Sequence, residues 1–421
     1  MPLLQVGTQS FCLLDLPVST CSRTLRREGL HSRRPLPNSS RSLSDYQARP
    51  DLGLFIGMLV LVGFGTIMVY SSSAFYAWAT SEFGSGFFFL KRHLIRLGVG
   101  LCAMVVAEKI DYRFWSRIAK PLLGVCMLLL VAVLIVGSGR SHGASRWLRI
   151  SFVSVQPSEL MKVCLVIFLA SYVVSARENM KHFSRGFLPP LVVLGIITAL
   201  VVKQPNFGTA VALLLIGFFM LYIGGSRVHH LVGAGIAGAV AVGLIAYGIP
   251  YAHHRIVGFM GAASGSLDGN YQLRQSLLGM GSGGLFGAGL GGSRAKLLFL
   301  PEPHTDFIFA VVAEELGFIG AIVLMGTFLF ILVRGAQIAL SSPDDFGMFL
   351  AAGLTISIFT YVLLHIAVVV GALPTTGLPL PFLSFGGSAL FTNLVSVGIL
   401  LNISKRRQKS KAPHYGRRCL R

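Results

Sequence analysis

Acidic residues are scarce in this chain: 16 Asp and Glu stand against 36 Lys and Arg in 421 residues, and charged residues of both signs make up 12%. A soluble domain carries about 25%, so a globular protein with an ordinary water-facing surface is excluded. Cysteine is limited to 6 residues. Cys12, Cys21 and Cys419 fall in terminal segments expected to face the cytoplasm, and Cys102, Cys126 and Cys164 in apolar runs; no outer loop holds a pair, so no structural disulfide is expected. Residues 1–48 lack the basic-then-apolar order and the small-residue cleavage site of a secretory signal. Rich in Arg and Ser, they are expected to form a disordered cytoplasmic tail, an organelle transit peptide being the other reading of such a composition.

Apolar residues are what the chain has in excess: 53% are hydrophobic and the mean hydropathy is +0.71. Ten apolar stretches, at 52–71, 94–107, 119–137, 158–175, 187–203, 206–223, 230–249, 306–333, 347–371 and 387–404, lie near the ~17 to 25 residues that a membrane-spanning helix needs. The expected fold is an all-α polytopic membrane protein. A ten-helix membrane domain over 49–404 carries a large external loop at 250–305 between helices 7 and 8, and a basic tail follows at 405–421.

A net charge of +20 invites a nucleic-acid reading, but the cations follow topology. With an even number of spans both termini share one side. That side receives the Arg of the N-terminal tail, Lys109, Arg113, Arg117, Lys120, Arg177, Lys181, Arg185, Arg227, Arg334 and the C-terminal cluster from Lys405. The excess of Lys and Arg marks it as cytoplasmic, and no nucleic-acid partner is expected.

Two outer segments, 138–157 and 250–305, are long enough to be functional. In the second, "YQLRQSLLGMGSGGLFGAGLGG" spaces Gly279, Gly281 and Gly284, and again Gly287, Gly289 and Gly292, as G-x-G-x-x-G. No strand precedes it and no βαβ unit surrounds it, so a dinucleotide site is excluded. These glycines suit close backbone packing, a pyrophosphate or plain loop flexibility.

Few charges enter the apolar runs, and each one there needs a reason, since a carboxylate in hydrocarbon costs at least roughly 2.5 to 3.5 kcal/mol. Asp306 opens the eighth run at the outer boundary; Glu314 and Glu315 follow eight and nine residues later. A helix N-cap is the bland reading of Asp306, and pairing with Lys or Arg of neighbouring spans that of the two glutamates. In "SVQPSELMKV" Glu159 and Lys162 share a helical face, as a structural ion pair or as a cation for phosphate with Glu159 orienting it. Arg146 and Arg149 stand on the outer side against the positive-inside trend, which an anionic ligand at the membrane surface accounts for.

These blocks carry a resemblance. "LPEPHTDFIFAVVAEELGFIG", "QPSELMKV", "YQLRQSLLGMGSGGLFGAGLGGS" and "TTGLPLPFLSFGGSAL" resemble, in the same order, the signature blocks of the SEDS family, the FtsW/RodA/SpoVE proteins, over roughly residues 50–405. The resemblance implies a peptidoglycan glycosyltransferase of the bacterial cytoplasmic membrane, with both termini inside, that polymerises lipid II. It works there with a class B penicillin-binding protein and other divisome proteins. It implies Asp306 as the catalytic residue and Lys162, Glu159, Arg146, Gln272, Gln275, Ser276, Lys296, His304 and Ser384 as substrate-binding candidates; a divalent cation, Mg or Mn, is a candidate cofactor with no ligand set assigned. "MVYSSSA" and "LPTTGLPLPF" lean toward the division type, with an elongation-type polymerase, a lipid-linked precursor flippase and a recruiting scaffold as the alternatives. Two departures stand out: Asn206 in "QPNFGT" where the family has Asp, and Phe385 where Tyr is commoner.

Overall fold

The computed structural model describes residues 50–79, 85–136, 138–139, 145–150, 153–248, 257–259, 261 and 271–406. The expected tails, with Cys12, Cys21 and Cys419, and most of 250–270 lie outside the described residues. Ten long helices occupy the ten apolar stretches: α1 Leu52–Ala79, α2 Phe88–Lys109, α3 Tyr112–Val136, α4 Pro157–Ser175, α5 Leu188–Lys203, α6 Phe207–Ile223, α7 Val228–Gly248, α9 Ile308–Leu340, α10 Asp345–Val369 and α11 Gly387–Lys405. A shorter helix, α8 Tyr271–Ser282, and one wide turn, Ala295–Phe299, lie in the long segment before α9. Seven of the helices are long and apolar enough to cross a membrane by themselves. Of the other spans, α2 admits Lys91, Arg92 and Arg96, and α6 is 17 residues long.

Local chemistry explains the ends. Pro157 occupies the first turn of α4, where its missing N–H costs no hydrogen bond. Asp344 caps α10 by accepting from Gly347 N at 2.8 Å. Helices α4, α10 and α11 form the interior, whereas α3 and much of α9 keep an exposed apolar side suited to lipid.

One end of the bundle is tied by ion pairs that join the start of α1 to α9, the α2–α3 turn to α10 and α11, and α4 to α10. Arg334 meets Asp51 at 2.6 Å, Lys405 meets Glu108 at 2.8 Å, Arg406 meets Asp111 at 2.9 Å and Arg113 meets Asp344 at 3.0 Å; Arg177 pairs with Asp345. All these residues belong to the side that the charge distribution assigns to the cytoplasm. From this belt α10 runs 25 residues, about 37 Å at 1.5 Å per residue, which exceeds the roughly 30 Å of a hydrocarbon core.

Two expectations are corrected. Segment 138–157, expected as a loop, holds a small antiparallel sheet of β1 Ser138–Gly139, β2 Ser145–Ile150 and β3 Val153–Val155, with Leu148 opposite Val155 and Ile150 opposite Val153. The eighth span, expected to be continuous, breaks at Gly317, whose φ of 68° and ψ of −168° are not helical. Its first part, 308–316, is buried almost throughout; its second, from Phe318, carries the lipid-facing side.

Candidate active site

The break in α9 is held open by the glycine-rich segment. In an unbroken helix the amides of residues 318 and 319 would bond to the carbonyls of 314 and 315. Here Phe318 N donates to Gly284 O at 2.9 Å and Ile319 N to Leu285 O at 3.2 Å, while Ala288 N and Gly289 N donate to the freed carbonyls of Glu314 and Glu315, each at 3.0 Å. Four backbone groups that would each cost several kcal/mol unpaired in lipid are thereby satisfied by the loop. The approach needs glycine: at Gly287, with φ +81°, a Cβ would lie 2.2 Å from Glu315 O, and at Gly317 it would lie 2.4 Å from Gly287 N. Of the three uses open to the motif glycines, close packing accounts for Gly287, and the same holds for Gly283 beside the motif and for Gly317 across the joint.

The glutamate side chains complete this joint. Glu314 accepts from Ser293 Oγ at 2.5 Å, Arg294 N at 2.8 Å and Ala295 N at 3.3 Å. Glu315, fully buried, meets Lys296 Nζ at 2.9 Å and accepts from Ser71 Oγ at 2.7 Å. The expected partner of a buried glutamate was a cation on a neighbouring span; Lys296 instead comes from the wide turn before α9, and α1 supplies the hydroxyl. Lys296, a substrate-binding candidate in the sequence, is buried in this pair.

Asp306 lies two residues before α9 begins and eight before Glu314. It does not cap α9: the N-cap position is Phe307, with no side-chain cap hydrogen bond. Its half-buried carboxylate instead lines a narrow cleft, with a cavity volume of about 10 Å³, together with Gln272 of α8, Phe307, His365 and Val368 of α10, and Thr375, Thr376, Gly377 and Leu378 beyond α10. Gly377 has φ +68°, and a Cβ there would stand 3.1 Å from Asp306 Oδ2, so both backbone angle and space require glycine. The cleft is at the end of α10 opposite the ion-pair belt.

Other candidates fall around this cleft. Gln275 is half-buried on α8, beside Ser276, whose hydroxyl is turned inward to Val369 O at 3.0 Å. Ser384 accepts from Leu380 N at 2.8 Å and braces the turn before α11. His304 sits in an aromatic box, its ring centre 4.7 Å from Phe89, 5.7 Å from Phe385 and 6.0 Å from Tyr76. Burial pushes its pKa down to about 4, so the ring is neutral near pH 7. Phe385, where Tyr is commoner, also receives the Arg96 guanidinium over its face at 4.7 Å.

The Glu159 and Lys162 pair lies apart. Lys162 has no exposed surface: its Nζ is 3.3 Å from Glu159 Oε2, 2.9 Å from Asn393 Oδ1 and 4.2 Å from the centre of the Tyr361 ring. It neutralises Glu159 in the interior. Arg146, half-buried on β2, donates to the carbonyls of Gln204 and Pro205. The first turn of α6 links this region to the cleft. Asn206 donates to Ser158 Oγ at 3.3 Å and accepts from Thr209 at 3.0 Å, while Gly208 abuts Thr376 so closely that a Cβ would be 2.7 Å from the threonine Cβ. The neutral amide that replaces the family's carboxylate thus both donates and accepts.

Sequence reasoning missed His365, Ser71 and Thr376 as site residues. A lone histidine in an apolar helix carries no local signal; the serines of "MVYSSSA" were visible as a motif but not as partners of Glu315. Among the described residues no group of three or more His, Cys, Asp or Glu could hold a metal ion, and Asp306 is the one carboxylate in its cleft.

Comparison with known proteins agrees with this architecture. A family model, FTSW_RODA_SPOVE, described as "Cell cycle protein", matches residues 52–409. The chain is 42% identical over 358 residues to "Stage V sporulation protein E" of Bacillus subtilis (strain 168), covering 85% of this chain and 97% of that one. It is 41% identical over 359 residues to "Probable peptidoglycan glycosyltransferase FtsW" of Geobacter metallireducens, covering 85% and 95%. Among solved structures, a chain from work described as "Structural coordination of polymerization and crosslinking by a peptidoglycan synthase complex" superposes with TM-score 0.70 at 25% identity, covering 86% and 99%. The rod shape determining protein RodA of Thermus thermophilus gives 0.63 at 27%, covering 85% and 97%. With the ten helices, the ordered motif blocks and a family match that spans the whole helical body, the chain belongs to the FtsW/RodA/SpoVE family.

Proposed function

We propose that this chain is a peptidoglycan glycosyltransferase that polymerises lipid II into glycan strands at the outer face of a bacterial cytoplasmic membrane, in cell division. The observation that carries the reading is the position of Asp306: a half-exposed carboxylate in a cleft at the membrane boundary opposite the basic, ion-paired end. Lipid II brings an isoprenoid tail, a pyrophosphate at the membrane surface and a disaccharide in water, so its chemistry has to take place at such a boundary.

In the reaction Asp306 acts as general base. It takes the proton of the acceptor sugar 4-hydroxyl as that oxygen bonds to the anomeric carbon of the donor strand, and the bond from that carbon to the pyrophosphate oxygen breaks. The leaving group departs as an anion and needs charge neutralisation, not protonation, so one base suffices where glycoside hydrolysis uses an acid and a base. A fixed carboxylate also stabilises the cationic character that develops at the anomeric carbon. Arg146 and the exposed Arg92 are the cations nearest in character to a pyrophosphate subsite; Lys162 serves there only if its enclosure opens. The donor set around Asp306 does not build a metal site, and no step above passes through a metal.

The solved complex named above supports a partner of the penicillin-binding class that cross-links the strands, and the family match and the charge asymmetry support a multi-pass bacterial membrane protein with both termini inside. The test is polymerisation of lipid II by purified protein with such a partner. Asp306→Ala should stay folded and lose at least ~10²-fold in rate, the usual worth of a general base. Unchanged strand synthesis by that variant would overturn the base assignment, and lipid movement between leaflets without strands would replace the polymerase with a flippase.

A further inference from the structure

His365 is 1% exposed on α10, inside a span, and it lines the cleft that holds Asp306. Its Nδ1 lies 2.7 Å from Leu378 O. A carbonyl only accepts, so that nitrogen carries the hydrogen, and the neutral ring then presents a bare lone pair at Nε2. Nε2 is buried and has no hydrogen-bond partner. The Thr376 hydroxyl, on the wall of the same cleft, is likewise buried without a partner. A buried polar atom left unsatisfied is costly, and one that persists beside a site marks a place for something that arrives.

A purely structural role explains half of this residue. The Nδ1 bond ties α10 to the segment that positions Gly377 against Asp306, but it leaves the opposite nitrogen, buried in a residue of the cleft wall, without a partner. The chemistry of the gap is specific. Nε2 accepts, the Asp306 carboxylate accepts, and Thr376 and Gln272 both donate and accept. Such a set complements a ligand with several adjacent O–H donors, and suits an anion poorly.

We propose that His365 is a substrate-binding residue whose Nε2 accepts a hydrogen bond from a hydroxyl of the sugar held in the Asp306 cleft, with Thr376 bonding a neighbouring oxygen. This rests on the polymerase reading above and adds a sugar subsite to it.

The test measures lipid II binding in an Asp306→Asn background, where turnover does not intervene. His365→Asn places its amide nitrogen where Nδ1 was, so it keeps the bond to Leu378 O and removes the acceptor at the Nε2 position. It should weaken binding about fivefold, the worth of one neutral hydrogen bond, with the melting midpoint unchanged. His365→Gln, whose amide reaches the Nε2 position, should restore binding to within about twofold. Lipid II analogues lacking one sugar hydroxyl at a time should then identify the partner: for one analogue the loss seen with His365 present disappears in His365→Asn. Unchanged affinity in a folded His365→Asn protein, or losses that multiply for every analogue, would overturn the proposal. Failure of the Asp306→Asn protein to bind lipid II at all would instead count against the polymerase reading.

Discussion

The two ends of the helical bundle hold their charges differently. At the end assigned to the cytoplasm, Arg113, Arg177 and Arg406 pair with Asp344, Asp345 and Asp111 at the surface, every one of these side chains at least 30% exposed. Toward the other end and in the interior, Glu315 with Lys296, Glu159 with Lys162, and Glu314 on its hydroxyl and amides are all buried. Exposed pairs are worth about 0 to 1 kcal/mol each. A buried pair is a poor source of net stability but is strongly destabilising to break, by roughly 3 to 5 kcal/mol, because one charge is left behind. Those three pairs can therefore change sequence freely provided their sign is kept; in the same belt only Asp51, 2% exposed against Arg334, is held as the buried pairs are. The second end is specified residue by residue, as a cleft that must hold Asp306 in place requires.

The sharpest way to break this contrast is at Glu315. Glu315→Leu leaves Lys296 buried without its carboxylate and should cost roughly 3 to 5 kcal/mol, seen as a large fall in melting midpoint. The double variant Glu315→Leu with Lys296→Met should recover most of it; a double variant as unstable as the single one would mean that the pair is not the relevant unit.

Next in size is the glycine joint. Gly287→Ala places a Cβ against Glu315 O at a positive φ and should cost roughly 3 kcal/mol or more. Gly281→Ala, in the same motif but with nothing within 4 Å of its Cβ position, should be neutral or slightly stabilising. Equal melting midpoints for the two variants would refute the docked geometry.

A third test uses acid. His304 titrates near 4 in the folded protein because burial disfavours its charge, against 6.5 in an unfolded chain. Below pH 6.5 the unfolded state binds the proton first, so stability falls as pH drops from 6.5 toward 4 and levels off beneath that. The loss is roughly 2 kcal/mol at pH 5. His304→Phe should flatten this part of the pH–stability curve, and an unchanged curve would show that His304 is not the group responsible. The smallest effect belongs to the belt: Arg177→Ala or Arg406→Ala should shift stability by less than about 1 kcal/mol, and less again in high salt. A loss above about 2 kcal/mol from either would erase the distinction between the ends.

Much of this was legible in the sequence. The ten helices follow from the lengths of the apolar runs, and Asp306 stands out because a carboxylate at the edge of such a run is rare. The break at Gly317 was not legible: one glycine in an apolar run reads as ordinary helix packing, and the segment that fills the break lies some thirty residues upstream, at a separation no local pattern encodes. The strands at 138–155 were missed because pieces of two, six and three residues show too little alternation. Lys162 stayed open between a structural ion pair and a cation for phosphate because its enclosure depends on Asn393 and Tyr361, more than 190 residues away in α11 and α10. His365 was missed for the same reason, its meaning being set by Leu378 and the cleft.

The order in which the joint's two halves are synthesised also matters for how the protein is built. Chains emerge from the ribosome N-terminus first, so residues 283–289 are already made when Glu314 to Ile319 leave the exit tunnel. The amides and carbonyls that the break exposes then have partners waiting, and only the stretch from Phe318 onward needs to be handed to the bilayer as a span.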